Sequence, residues 1–222
     1  MINYRCIVLD HDDTVVRSSE TVNHPAMLDA LKILRPGMTI SYRDFMVKCY
    51  EWLDFPNMCK HEFGFTEEES AEEYEMWKVY VRTHIPPPYK GMKELLERYR
   101  AEGGLICVSS HSSEENIARD YRLHFGFLPD GIYGWELNEN RKPHSYTLEH
   151  IMKTYGLKPE EILMVDDMRT GFEMAAFCNV PFACAGWSHE DEAISIPMRR
   201  NCEHYMGSVQ ELETFLFNEK TT

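Results

Sequence analysis

A parallel, doubly wound α/β sheet with a helical insert is predicted by three observations. Short apolar runs without polar alternation recur along the chain, helix-period segments separate them, and one long stretch after the first run contains none. Unbroken apolar runs suit strands buried on both faces, and strands alternating with helices imply a parallel sheet covered by helices.

The first run is Cys6-Ile7-Val8-Leu9. From about Val16 to Pro88 the pattern changes, and Met27, Leu28, Leu31 and Leu34, then Phe45, Met46, Cys49, Trp52 and Leu53, then Tyr74, Trp77 and Val81 fall at helical spacing. Thr66 is placed to cap the last of these helices, and Glu67-Glu68-Glu69 with Glu72-Glu73 suits the positive end of its dipole, so this acidic run is expected to be a solvated face. Pro86-Pro87-Pro88 is a stiff connector back to the sheet. Beyond it, Met92, Leu95, Leu96 and Tyr99 form one apolar stripe, Gly103-Gly104 ends that helix, and Leu105-Ile106-Cys107-Val108 is the second run. Leu148, Ile151, Met152 and Tyr155 form a second stripe ended by Gly156, followed by the runs Ile162-Leu163-Met164-Val165 and Pro181-Phe182-Ala183-Cys184. The expected boundaries are 16–88 for the helical insert and 1–15 with 89–222 for the α/β core.

Composition narrows the partners. Of 222 residues, 43% are hydrophobic, ample for a packed core, and no apolar run is long enough to span a bilayer. The chain opens Met-Ile-Asn-Tyr-Arg without a basic-then-apolar leader, which predicts a cytoplasmic protein. A net charge of −14 opposes binding to nucleic acid or to an anionic membrane, while leaving room for a small phosphorylated ligand in one locally positive pocket. The seven cysteines include no C-x-x-C pair, so neither a disulfide framework nor a structural zinc site is expected. Monomer and homodimer are equally compatible with these features.

In an open α/β sheet ligands bind off the carboxyl ends of the strands. The first run is followed by Asp10-His11-Asp12-Asp13-Thr14 and the second by Ser109-Ser110-His111-Ser112; Lys142 precedes the third, and Asp166-Asp167 follows it. Asp10 and Asp12 would share a face while the strand stays extended. With Asp166 and Asp167 they would repel one another unless protonated or bound to a cation, and an all-oxygen set of this kind suits Mg²⁺. A carboxylate beside such a cation can act as a nucleophile toward phosphorus, with Lys142 and Ser109 holding phosphoryl oxygens. Thr14, Ser110 and His111 are the neighbouring candidates for substrate contact.

Asp10-His11-Asp12-Asp13-Thr14-Val15-Val16 with Ser18, Val108-Ser109, Arg141-Lys142-Pro143 and Val165-Asp166-Asp167 together resemble the four ordered motifs of the haloacid dehalogenase-like (HAD) hydrolases. The insert, lying between the first two motifs, is similar to the helical C1 cap of the branch that includes phosphoglycolate phosphatase-like enzymes and β-phosphoglucomutase. The resemblance implies a Rossmann-like core with Asp10 as nucleophile, and Asp12 as the acid that protonates the leaving group and later activates water. It also implies Ser109 and Lys142 at the phosphate, and Mg²⁺ held by Asp10, the Asp12 backbone carbonyl and a carboxylate of Asp166 or Asp167. An acid at position 12 implies phosphate-ester chemistry. A phosphomutase on the same scaffold and a catalytically silent binding module are the other two readings.

Three positions depart from the family pattern. Asp13 stands where glycine is usual, and aspartate tolerates the backbone angles such a turn demands. His11 fills a slot that is more often apolar and is expected to be packed and hydrogen-bonded. The later acid of the fourth motif falls at Gly171 or Phe172.

Overall fold

The computed structural model describes residues 2–53 and 55–217. Among these residues the strands β1 (Cys6–Leu9), β2 (Leu105–Ser109), β3 (Gly131–Tyr133), β4 (Ile162–Asp166), β5 (Phe182–Ala185) and β6 (His204–Met206) form one parallel sheet. Their order is β3-β2-β1-β4-β5-β6. In register, Ile7 lies between Ile106 and Leu163, so the apolar runs seen in the sequence stack across the sheet centre. Every residue of β1, β4 and β5 is buried, as strands covered on both faces require. The strand order reverses between β1 and β4, where an open sheet leaves a crevice at its carboxyl edge.

The described residues divide into two compact units, one running to Val16 and resuming at Pro87, the other spanning Arg17–Pro86. In the second unit a π-helical turn, Ser19–Asn23, leads into α1 (His24–Leu34), followed by α2 (Tyr42–Trp52), α3 (Phe55–Phe63) and α4 (Glu67–Thr83). Met27, Leu31, Phe45, Met58 and Val81 supply its interior. Thr66 caps α4 reciprocally: its hydroxyl accepts from the Glu69 amide at 3.2 Å, and Glu69 accepts from the Thr66 amide at 2.9 Å. Glu69 also receives both guanidinium nitrogens of Arg35, at 2.6 and 2.7 Å.

The acidic run is not solvated throughout. Glu67, Glu68 and Glu72 are exposed, but Glu73 is only 4% exposed, and burial alone pushes its carboxyl up to about 7. It stands four residues before Trp77 and eight before Val81, on the stripe that α4 turns inward.

In the first unit α5 (Met92–Ala101), α6 (Glu114–Phe125), α7 (Tyr146–Tyr155), α8 (Arg169–Phe177), α9 (Glu192–Asn201) and α10 (Val209–Phe217) accompany the sheet. Met92, Leu95, Leu96 and Tyr99 of α5 are fully buried, each contributing roughly 1.5–3 kcal/mol if transferred from water. Gly104 is needed for close approach: a Cβ there would stand 2.2 Å from the Tyr99 ring. Strands β3 and β6 have no counterpart among the four apolar runs. Each is three residues long and mostly half-buried, too short to register as a run. No helix among the described residues is long and apolar enough to cross a membrane.

Candidate active site

The carboxyl edge gathers its side chains from four chain segments. Asp10 leaves β1 with its amide donating to the Val165 carbonyl at 2.9 Å, which ties the residue to β4. Asp166 ends β4 and Asp167 follows it. One oxygen from each of Asp10, Asp166 and Asp167 lies within 4.8 Å of the others, and all three residues are buried. Lys142 enters from the loop before α7, its Nζ 2.8 Å from Asp10 Oδ1 and also hydrogen-bonded to Asp166 Oδ2.

The electrostatics follow from burial. Loss of solvent is the largest influence on Asp166 and Asp167, and with Asp10 nearby it raises both carboxyls well above their ordinary pKa, Lys142 opposing it. Burial disfavours the Lys142 ammonium too, yet the charges of Asp10 and Asp166 outweigh it and hold the lysine charged above its usual value. Two of the three acids, Asp10 and Asp166, therefore share one cationic side chain and Asp167 has none in contact, an arrangement short of positive charge and rich in oxygen donors. That donor set fits a small hard divalent cation such as Mg²⁺.

Asp12 lies apart from the cluster. β1 ends at Leu9, so Asp10 and Asp12 do not share an extended strand, and Asp12 Oδ2 accepts from the Ser110 hydroxyl at 3.4 Å. The turn is made at Asp13, whose φ of +56° is left-handed and whose amide donates to Val16 O at 2.8 Å. Aspartate thus occupies the backbone region that glycine fills more freely.

Ser109 sits at the end of β2, buried, with no hydrogen bond from its hydroxyl to any described residue. Ser113, and not Ser109 or Ser110, caps α6 by accepting from the Asn116 amide. Thr14 is fully enclosed and donates to Asp167 Oδ1 at 3.2 Å, so its hydroxyl is directed at a carboxylate rather than open to a ligand. His111 is hydrogen-bonded through Nε2 to the Lys142 carbonyl at 3.0 Å; burial, then the Lys142 charge, pushes its imidazole down to about 4. A neutral ring must donate from Nε2 to that carbonyl, which fixes the lysine's backbone.

His11 is buried, and its Nε2 donates to Asp120 Oδ2 of α6 at 3.1 Å. Burial opposes the imidazolium, but the Asp120 hydrogen bond and the neighbouring Asp12 and Asp10 charges raise its pKa. Asp120 was invisible as a site residue because nothing in an amphipathic helix says which polar group turns inward.

The loop after β5 was also missed. Trp187 Nε1 donates to Thr14 O at 3.2 Å, Ser188 Oγ to Asp13 O, and His189 Nε2 to Asp167 Oδ2 at 2.5 Å. Burial dominates at His189 and lowers its ring pKa below the ordinary value. The rule that singled out the ends of the first three runs, applied to the fourth, points to these residues.

Gly171, one of the two positions where the later acid would fall, has no room for a side chain. A Cβ at this position in α8 would lie 2.3 Å from Asp166 Oδ2, so the helix packs flush on the carboxylate and no side chain fits.

Residues 4–179 match the haloacid dehalogenase-like hydrolase family. None of the curated proteins compared matches the sequence. In fold the chain is similar to a candidate phosphoglycolate phosphatase from Lactobacillus plantarum, with a TM-score of 0.79 at 16% identity over 96% of this chain and 99% of that one. It is likewise similar to a candidate haloacid dehalogenase-like hydrolase from Bacteroides fragilis, at 0.77 and 19% over 94% and 99%. CbbY from Rhodobacter sphaeroides, solved in complex with phosphate, superposes at 0.71 and 15% over 96% of each chain.

Proposed function

The chain belongs to the haloacid dehalogenase-like hydrolases, and from that premise we propose that it hydrolyses the phosphate monoester of a small metabolite through a phosphoryl group carried on Asp10. The observation that supports this reading is the meeting of Asp10, Lys142, Asp166 and Asp167 at one sheet edge, with the Lys142 ammonium 2.8 Å from Asp10.

In the proposed sequence an Asp10 oxygen attacks phosphorus while the bond to the leaving oxygen breaks, and Asp12 supplies the proton that this oxygen takes up. Asp12, now ionised, accepts a proton from water; the water oxygen attacks phosphorus, the bond to Asp10 breaks, and free phosphate leaves. Lys142 offsets charge on Asp10 and on the phosphoryl oxygens, and the Ser109 hydroxyl donates to one of those oxygens. Mg²⁺ bound at Asp10, Asp166 and Asp167 would lower the negative potential that an incoming phosphate meets. The Ser110 hydroxyl orients Asp12, and His111 holds the lysine's backbone. The net charge of −14 disfavours nucleic acid and anionic membrane as partners.

Purified protein is expected to hydrolyse a generic aryl phosphate with added Mg²⁺, to stop in EDTA, and to lose on the order of 10⁴-fold or more of kcat in Asp10→Asn, the scale seen when a covalent nucleophile is removed. Folded, Mg²⁺-supplied wild type that is inert across a broad panel of phosphate esters would refute the reading. So would conversion of a sugar phosphate to its isomer without release of phosphate.

A further inference from the structure

We propose that His189 is a positioning residue for the metal site, holding the Asp167 carboxylate in the orientation that binds the cation and so setting the affinity for Mg²⁺. This rests on the metal-dependent reading above.

The geometry comes from a single loop. Gly186-Trp187-Ser188-His189 leaves the end of β5 and contacts the nucleophile loop and the metal acid together: the Trp187 indole reaches the Thr14 carbonyl, Ser188 reaches the Asp13 carbonyl, and His189 Nε2 reaches Asp167 Oδ2 at 2.5 Å. Ser188 Oγ also lies 3.0 Å from the Ala185 carbonyl, at the end of the strand that anchors the loop. Thr14 then closes the circuit by donating to the other Asp167 oxygen, Oδ1, at 3.2 Å. Each oxygen of Asp167 thus carries one fixed donor, which sets the plane of the carboxylate.

An ionised carboxylate has about four lone-pair sites, so one donor on each oxygen leaves acceptor capacity facing the cluster. Asp10 and Asp166 are already tied to Lys142. Asp167, without a lysine contact, depends on His189 and Thr14 for its orientation among the three. Partners that orient a metal-ligating side chain in this way change metal affinity when removed, by roughly 10–100-fold. His189 and Asp167 are both almost completely buried, so water cannot easily replace the missing donor.

The test is isothermal titration of Mg²⁺ into the full-length, EDTA-stripped protein and three variants. His189→Leu removes the donor while keeping the bulk, and Kd for Mg²⁺ is expected to rise about 10–100-fold. His189→Gln keeps an amide donor at similar reach and is expected to recover most of that loss, whereas His189→Asn, too short to reach Asp167, behaves like the leucine variant. The glutamine and asparagine pair decides the matter even if the leucine variant does not fold. Equal affinity in all folded variants, with wild type binding Mg²⁺, overturns the role of His189 and leaves the metal site standing. Wild type that binds no Mg²⁺ overturns the metal reading and this proposal with it.

Discussion

Asp13 and Glu73 show how far one side chain can depart from what its type suggests. Asp13 takes a left-handed backbone angle that lets the chain turn between Asp12 and Val16, and its short polar side chain makes that conformation tolerable. Glu73 is the opposite case, a carboxyl drawn inside a helical unit with no hydrogen-bond partner among the described residues, and its pKa rises to about 7 by burial. Between the unfolded value near 4.5 and about 7 the folded chain holds the proton that the unfolded chain releases, so stability falls as pH rises through that window. At pH 8 the full penalty is about 3 kcal/mol. Thermal melts of Glu73→Gln and wild type should therefore coincide near pH 4.5 and separate toward pH 8, with the variant the more stable; parallel curves would show the carboxyl to be solvated. The sequence carried the signal in the four-residue spacing of Glu73, Trp77 and Val81, but the density of acids around it pointed to a solvent-facing helix. The meeting of Asp10, Asp166 and Asp167 at one edge was legible because they stand at the ends of two neighbouring strands, whereas Lys142 reaches that edge from the loop before α7. The pairing of His11 with Asp120 was not, since 109 positions separate them and only packing brings them together.

Among elements, α8 and β4 make the most informative contact. Within a helix, replacing glycine by alanine ordinarily stabilises by roughly 0.5–1 kcal/mol. At Gly171 the sign reverses, because the added carbon would meet Asp166 at 2.3 Å, and Asp166 is buried and held by Lys142 and by the Met168 amide at 2.8 Å. Gly171→Ala is expected to cost about 1–3 kcal/mol in urea unfolding and to lower kcat, since the carboxylate that bears on Lys142 must shift. A more stable, fully active alanine variant would contradict the packing described here. The strands that the sequence displayed are buried along all or nearly all of their length; β3 and β6, at the two edges, are mostly half-buried and short, so their residues carry no continuous apolar signature. At Gly171 the two elements lie too close for a side chain, which spacing alone does not reveal.

At the scale of the molecule, Asp10, Asp12, Ser109, Lys142, Asp166 and Asp167 all lie in the α/β unit and none of them in the helical unit. A hydrolase of this family was readable and its substrate was not: strand ends fix where Asp10, Asp166 and Asp167 stand, whereas recognition of a particular metabolite depends on side chains with no fixed place relative to a sheet. The claim on which the account rests is that Asp10 takes the phosphoryl group. Its most direct test is intact-mass analysis of the Asp12→Asn variant incubated with Mg²⁺ and an aryl phosphate whose leaving group needs no proton. Lacking the base that activates water, this variant should lose about 10²–10⁴-fold in turnover and accumulate a mass gain of one phosphoryl group, mapping to Asp10 and absent when Asp10→Asn is added. A phosphoryl group mapped to another residue, or no gain while the variant still turns over the ester, would contradict it.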